Sequence, residues 1–139
     1  MLDLSSLHKA IVSLEKVIKV AERKQNAAEI DIDEFDAIKA GAIQNFEFTY
    51  ELCWKLIKRW LEINLSPGMM EGITRKQLFR YASENFLIKD FDAWMNYHEM
   101  RNKTSYTYNQ NTADEIYVIV KYFLADAKAV LEALEVRND

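Results

Sequence analysis

The chain has 139 residues, with 18 basic and 22 acidic side chains and a formal charge of −4. That balance argues against binding along a nucleic-acid backbone through bulk charge, while leaving room for a local basic site. Half of the residues are hydrophobic and 29% are charged, a composition that fits one soluble globular domain over residues 1–139 and excludes a disordered chain.

Three glycines and one proline are too few for a turn-rich β architecture and predict long helices. The single cysteine, Cys53, excludes an intrachain disulfide and points to a reducing cytoplasm. With no run of about 18 apolar residues, no membrane span is expected. The N-terminus lacks the basic-then-apolar pattern of a secretory signal.

From Asp3 to Asn26, residues Leu4, Leu7, Ile11, Leu14, Ile18 and Ala21 recur at steps of three and four. They form one helical stripe, with Asp3 as N-cap. The second helix begins after Asp31 or Asp33 and runs to about Asn64. Gln44, Glu47, Glu51, Lys55, Lys58 and Glu62 form its narrow polar stripe, in which Glu51 and Lys55 are a favourable pair four apart. Its wide aromatic remainder, from Phe46 to Leu61, predicts contacts on more than one side, including a subunit interface. "NLSPGMMEG" (64–72) is the clearest break. Thr74 and Gln77 then form a capping box for a short helix ending near Phe86, and Asp90 caps the next, which carries Phe91, Trp94, Met95, His98 and Arg101. Thr112 and Glu115 read as a second capping box. The last helix buries Ile116, Val120, Phe123, Ala127, Val130 and Leu134, and this pattern outweighs the local strand propensity of "IYVIVKYF" (116–123). The sum is an all-α, up-and-down four-helix bundle in which two short helices form a broken fourth.

The connector "RNKTSYTYNQN" (101–111) is the candidate site. Arg101 complements the negative end of its helix, Asn102 suits a helix stop, and the next helix offers free N–H groups that favour anions. Arg101, Asn102 and Lys103 are therefore the candidate phosphate ligands. In an extended loop, Tyr106 and Tyr108 project to opposite sides. A plain connector has the same composition, so both readings stand on these residues alone.

Elsewhere the chemistry is sparse. His8 and His98 are far apart with no Cys or carboxylate cluster between them, so neither a metal nor a cofactor is expected. Neither G-x-x-x-x-G-K-[ST] nor G-x-G-x-x-G occurs. Cys53 lies on an apolar face and reads as packing. The four carboxylates of "DIDEFD" (31–36) complement a helix N-terminus. Lys55, Lys58, Arg59, Arg75, Lys76 and Arg80 make either a local basic patch or ordinary solvated faces.

Two longer stretches carry a resemblance. "AGAIQNFEFTYELCWKLIKRWLE" (40–62) and "FDAWMNYHEMRNKTSYTYNQNTADEIY" (91–117) resemble the two signatures of the nucleotidyltransferase substrate-binding protein family, which is similar to the HEPN superfamily. The resemblance implies a helical bundle that forms a homodimer and is encoded beside a small nucleotidyltransferase. Related pairs act as toxin and antitoxin. There the HEPN chain is a metal-independent ribonuclease with an R-x4-H motif, silenced by AMP transfer onto the tyrosine of R-x4-H-x-Y. An older reading makes it the substrate-binding subunit of a split nucleotidyltransferase.

Carried over residue by residue, Arg101 matches the motif arginine, Asn102 the polar residue after it, and Tyr108 the modified tyrosine. The histidine position holds Tyr106. An ordinary phenol, with a pKa of about 10, is a poor base at neutral pH. His98, one turn before Arg101 on the same face, is the other candidate for the proton. The resemblance thus implies a nucleotide- or nucleic-acid-binding partner of a nucleotidyltransferase, or alternatively a ribonuclease toxin using Arg101 with Tyr106 or His98. Whether the chain is an enzyme stays open at this point.

Overall fold

The computed structural model describes residues 1–106 and 109–138. Its elements are α1 (Ser5–Gln25), α2 (Ile32–Asn64), α3 (Pro67–Met70), α4 (Arg75–Glu84), α5 (Phe91–Asn102), a 3-10 turn (Lys103–Tyr106) and α6 (Gln110–Val136). The fold is all-α. Helix α2 packs along α1 and α6, while the short helices α4 and α5 pack against it as the broken fourth helix and touch each other through Phe79 and Trp94. At 33 residues α2 is about 50 Å long, given 1.5 Å of rise per residue. No helix among the described residues is long and apolar enough to cross a membrane.

The stripes foreseen on the first and last helices are the ones buried: Leu7, Ile11, Leu14, Ile18 and Ala21 on α1, and Ile116, Val120, Phe123, Ala127, Val130 and Leu134 on α6. Much of the aromatic surface of α2 is absorbed within the chain. Phe46, Tyr50, Cys53, Ile57 and Leu61 are fully covered, Trp54 and Trp60 are half-buried, and Phe48 stays 59% exposed. Phe123 receives edge-on contacts from Phe46 (4.8 Å between centroids), Tyr97 (5.1 Å) and Trp94 (5.7 Å). Trp94 also packs on Phe79 at 5.6 Å, so one aromatic cluster joins α2, α4, α5 and α6.

Several helix starts follow the sequence. Asp31 accepts from the Glu34 N–H, Asp90 from the Ala93 N–H, and Thr74 and Gln77 form the reciprocal capping box. Two do not. The Asp3 carboxylate accepts from the Ser5 N–H, but Leu4 occupies the cap position of α1. Helix α6 starts at Gln110 under the cap of Asn109, whose side chain accepts from the Asn111 and Thr112 N–H groups, so Thr112 and Glu115 form no capping box. Asn109, three residues before Thr112, reaches the free N–H groups first. The break at 64–72 also holds a short helix, begun by Pro67, that buries Met70. Pro is favoured there because its missing N–H has no partner in a first turn.

The turn between α4 and α5 aims α5 along α2. The Leu87 N–H bonds the Ala82 carbonyl and the Phe86 N–H the Ser83 carbonyl, a Schellman arrangement that requires a left-handed residue at Phe86. Phe86 has φ +62° and is 75% exposed, so its side chain gains little while its backbone carries strain. Phe86→Gly is expected to raise stability by roughly 0.5–1 kcal/mol, the relieved strain exceeding the entropic cost of glycine. A urea midpoint that falls instead would assign the ring a packing role.

Candidate functional site

Helix α2 presents Glu47, Tyr50, Glu51 and Trp54 on one face, because residues three and four apart stack along a helix. Helix α5 presents Trp94, His98 and Arg101 by the same spacing. Trp94 is buried and stacks beside Tyr50, with centroids 6.4 Å apart. Once that turn is docked, the next two turns must lie over the polar residues of α2. His98 Nδ1 stands 2.9 Å from Tyr50 Oη. Arg101 Nε lies 3.2 Å from Glu51 Oε1 and its Nη2 3.7 Å from Glu47 Oε1.

The Arg101 guanidinium is fixed further by its own helix end. Its Nη1 donates to Thr104 Oγ1 at 3.1 Å, and that hydroxyl donates back to the Arg101 carbonyl at 2.7 Å. Glu51 is the hub: its other oxygen accepts from Trp54 Nε1 at 3.0 Å. The Arg101–Glu51 contact is an ion pair not aligned as a hydrogen bond, and Arg101 Nε lacks a hydrogen-bond acceptor among the described residues. The Arg101 side chain remains 29% exposed.

Burial holds the His98 imidazole below its ordinary value of 6.5, and the Arg75 and Arg101 cations add to the effect while Glu51 opposes it. Burial also pushes the Tyr50 phenol well above its ordinary value, so it keeps its proton. If that phenol donates to Nδ1, Nε2 carries the ring proton; if Nδ1 donates, Nε2 is an acceptor.

Arg75, the first residue of α4, was set among the surface cations by sequence alone. Its guanidinium carbon lies 3.3 Å from the centre of the Trp54 ring. Its Nε is buried and has no acceptor among the described residues. Burial lowers its pKa, with Tyr50 and Glu51 opposing. Nothing local flags this residue, because the indole that holds it is on a different helix.

The remaining candidates spread out. Asn102 is exposed at the end of α5. Lys103 turns away from Arg101, to Glu115 at 3.2 Å and Glu99 at 3.7 Å. The chain continues as a 3-10 turn to Tyr106, not as the extended loop foreseen, because the Thr104 hydroxyl prolongs the helix end by bonding the Arg101 carbonyl. The Tyr106 side chain and the whole of Tyr108 lie outside the described residues. Downstream, Asp114 pairs with buried Lys39 at 2.5 Å, tying the start of α6 to α2. Among the described residues no three His, Cys, Asp or Glu side chains gather as a metal site requires. Cys53 is fully buried, which pushes its thiol up and leaves it a packing residue.

The paired helices, with Arg101 at their charged end, carry both stretches whose resemblance the sequence showed. The family model described as nucleotidyltransferase substrate binding protein like matches residues 2–136. The chain belongs to this family. It is similar to a Haemophilus influenzae protein named probable ribonuclease HepT, 38% identical over 141 residues that span 99% of this chain and 94% of the relative. A solved Haemophilus influenzae structure, described as revealing the fold of a substrate binding domain of a nucleotidyltransferase, matches with TM-score 0.90 and 34% identity over 96% of this chain and 99% of that one. A Thermus thermophilus structure shares the fold at TM-score 0.64 and 24% identity, covering 87% and 98% of the two chains.

In this family member the titration of His98 reports the cluster. Its folded pKa is depressed, so the unfolded chain binds the proton more readily. Stability therefore falls as pH drops below about 6.5 and levels off below the folded pKa. Proton NMR is expected to give His98 a midpoint below 6.5. Arg75→Met should raise that midpoint and Glu51→Gln lower it, by removal of a like and an opposite charge. Movement of both variants in one direction would contradict this electrostatic arrangement.

Proposed function

We propose that this chain is the nucleotide- or nucleic-acid-binding partner subunit of a separate small nucleotidyltransferase, in a cytoplasmic two-component module of the toxin–antitoxin kind. The observation that carries the reading is Arg101: a part-exposed guanidinium held between Glu47, Glu51 and Thr104, beside His98. Such a planar donor set can exchange carboxylate for phosphate oxygens. Asn102 follows it at the helix end, and Lys103 would have to leave Glu115 and Glu99 to extend the phosphate contacts. Binding is favoured over cleavage because the motif's histidine position is Tyr106, and a phenol is a poor base near neutral pH.

The homodimer implied by the family resemblance suits the exposed face of α2. Phe48 is next to Glu47 and one turn before Leu52, which is half-buried. A second copy seated there would bring two Arg101 clusters side by side. Co-expression with the adjacent nucleotidyltransferase should yield a complex containing two copies of this chain, read by light scattering. Recovery of this chain alone, with no complex, would sink the partner-subunit reading. Intact mass checks Tyr108: one or more added AMP units, absent in Tyr108→Phe, are expected if it is the modified residue.

A second reading, a metal-independent ribonuclease toxin, is favoured by the placement of His98 on Tyr50 and of Arg101 on the neighbouring Glu51, alongside the ribonuclease name of the Haemophilus relative. His98 would take the proton from a ribose 2′-hydroxyl. That oxygen would attack the adjacent phosphorus and expel the 5′-oxygen, which takes a proton, with Arg101 stabilising the charge on phosphorus. AMP on Tyr108 would place bulk and negative charge where RNA sits. Expression should then arrest growth, and Arg101→Ala and His98→Gln should each relieve the arrest. Arrest that persists in both variants would remove this reading.

A further inference from the structure

We propose that Arg75 is a second phosphate-binding residue of the Arg101 site, the one that meets an incoming nucleotide or RNA phosphate with no carboxylate in ion-pair contact among the described residues. The proposal rests on the binding reading above and adds a residue to it. Arg101 has two carboxylates within 4 Å. Arg75 has none among the described residues, and its buried Nε has no acceptor.

A half-buried cation without a partner is costly unless something repays its lost hydration. The Trp54 face, 3.3 Å from the guanidinium carbon, supplies part of that and holds the fork flat. It offers no hydrogen-bond acceptor, so the buried Nε of Arg75 has none among the described residues. Arg75 lies on the Trp54 indole, that indole donates to Glu51, and Glu51 pairs with Arg101. His98 bonds Tyr50, one residue before Glu51, so both guanidiniums flank one carboxylate beside the imidazole. Two flat cations flanking one carboxylate match the repeated charge of a polyphosphate or a phosphodiester strand. Mononucleotide and single-stranded RNA share that chemistry.

The test is fluorescence anisotropy with two probes, a labelled 2′-O-methyl oligoribonucleotide that cannot be cleaved and a labelled ATP. Each is titrated against the full chain over a salt series. Arg75→Met keeps much of the side-chain volume and removes the charge. It is expected to weaken binding of whichever probe binds by about tenfold or more, the scale of a charge-assisted hydrogen bond. The slope of log affinity against log salt for the oligonucleotide should fall by about one. Arg80→Met, on the same helix but against Phe91 at 5.0 Å, should bind as wild type does.

A preference for one probe identifies the ligand source, and loss of that probe in Arg75→Met supports the assignment. Wild-type affinity and slope in Arg75→Met, with binding lost in Arg101→Ala, would overturn the role of Arg75 and leave the binding reading intact. Absence of salt-dependent binding of either probe to the wild type would overturn both. Thermal midpoints separate folding from binding. If Arg75→Met does not fold, Arg75→Gln, which keeps a planar donor and loses the charge, carries the same comparison.

Discussion

The Glu51 carboxylate ties the charged end of the molecule to its aromatic core. One oxygen fixes the Trp54 indole and the other pairs with Arg101. Trp54 in turn holds Arg75 flat. One carboxylate therefore sets the position of two cations on two other helices. The pair is part-exposed, so its Coulomb energy is screened and its contribution to stability is modest. Its consequence is geometric: it determines where the guanidiniums stand, while the buried Trp94 cluster determines where the helices stand.

Helix α2 acts as a ruler for the connector between α5 and α6. Arg101 is held at Glu47 and Glu51, and the start of α6 is held at Lys39 through Asp114. The anchors Lys39 and Glu51 are twelve residues apart on α2, about 18 Å at 1.5 Å per residue. Arg101 and Asp114 are thus both pinned to one rigid element. Buried Lys39 is paired with Asp36 as well as Asp114, so the desolvation of its ammonium is offset from its own helix and from α6.

Features set by neighbours in sequence were legible in the sequence. The stripes of α1 and α6, the Asp31 and Asp90 caps and the Thr74–Gln77 box all depend on residues within a turn or two. The cap of α6 was misassigned because Asn109 and Thr112 both satisfy local rules, and only the chain path selects between them. Glu51 was taken as half of a surface pair with Lys55. That pair is present at 4.0 Å, and the other oxygen of the carboxylate faces Arg101 at 3.2 Å. Arg75 could not be singled out, since its partner Trp54 precedes it by 21 residues across a helix break. Of the site, sequence therefore supplied Arg101 and His98 as candidates. Their partners Tyr50 and Glu51 came from packing.

An acidic chain with a local cationic cluster gains selectivity from that combination. The net charge of −4 repels polyanions at long range, so affinity must arise from short-range contacts at the cluster. Arg101 is already neutralised by Glu47 and Glu51. When it turns to a phosphate it frees two carboxylates, which recruit cations from solution and offset the counterions that the phosphate releases. Arg75 has no paired carboxylate among the described residues, so its proposed contact with phosphate would carry the ordinary salt dependence of one ion pair. Under the proposed binding role, the two arginines would divide the work of recognition. Arg101 would exchange one anion for another and test geometry, Arg75 would supply a charge with no ion-pair partner among the described residues, and only a ligand that reaches both would satisfy the cluster.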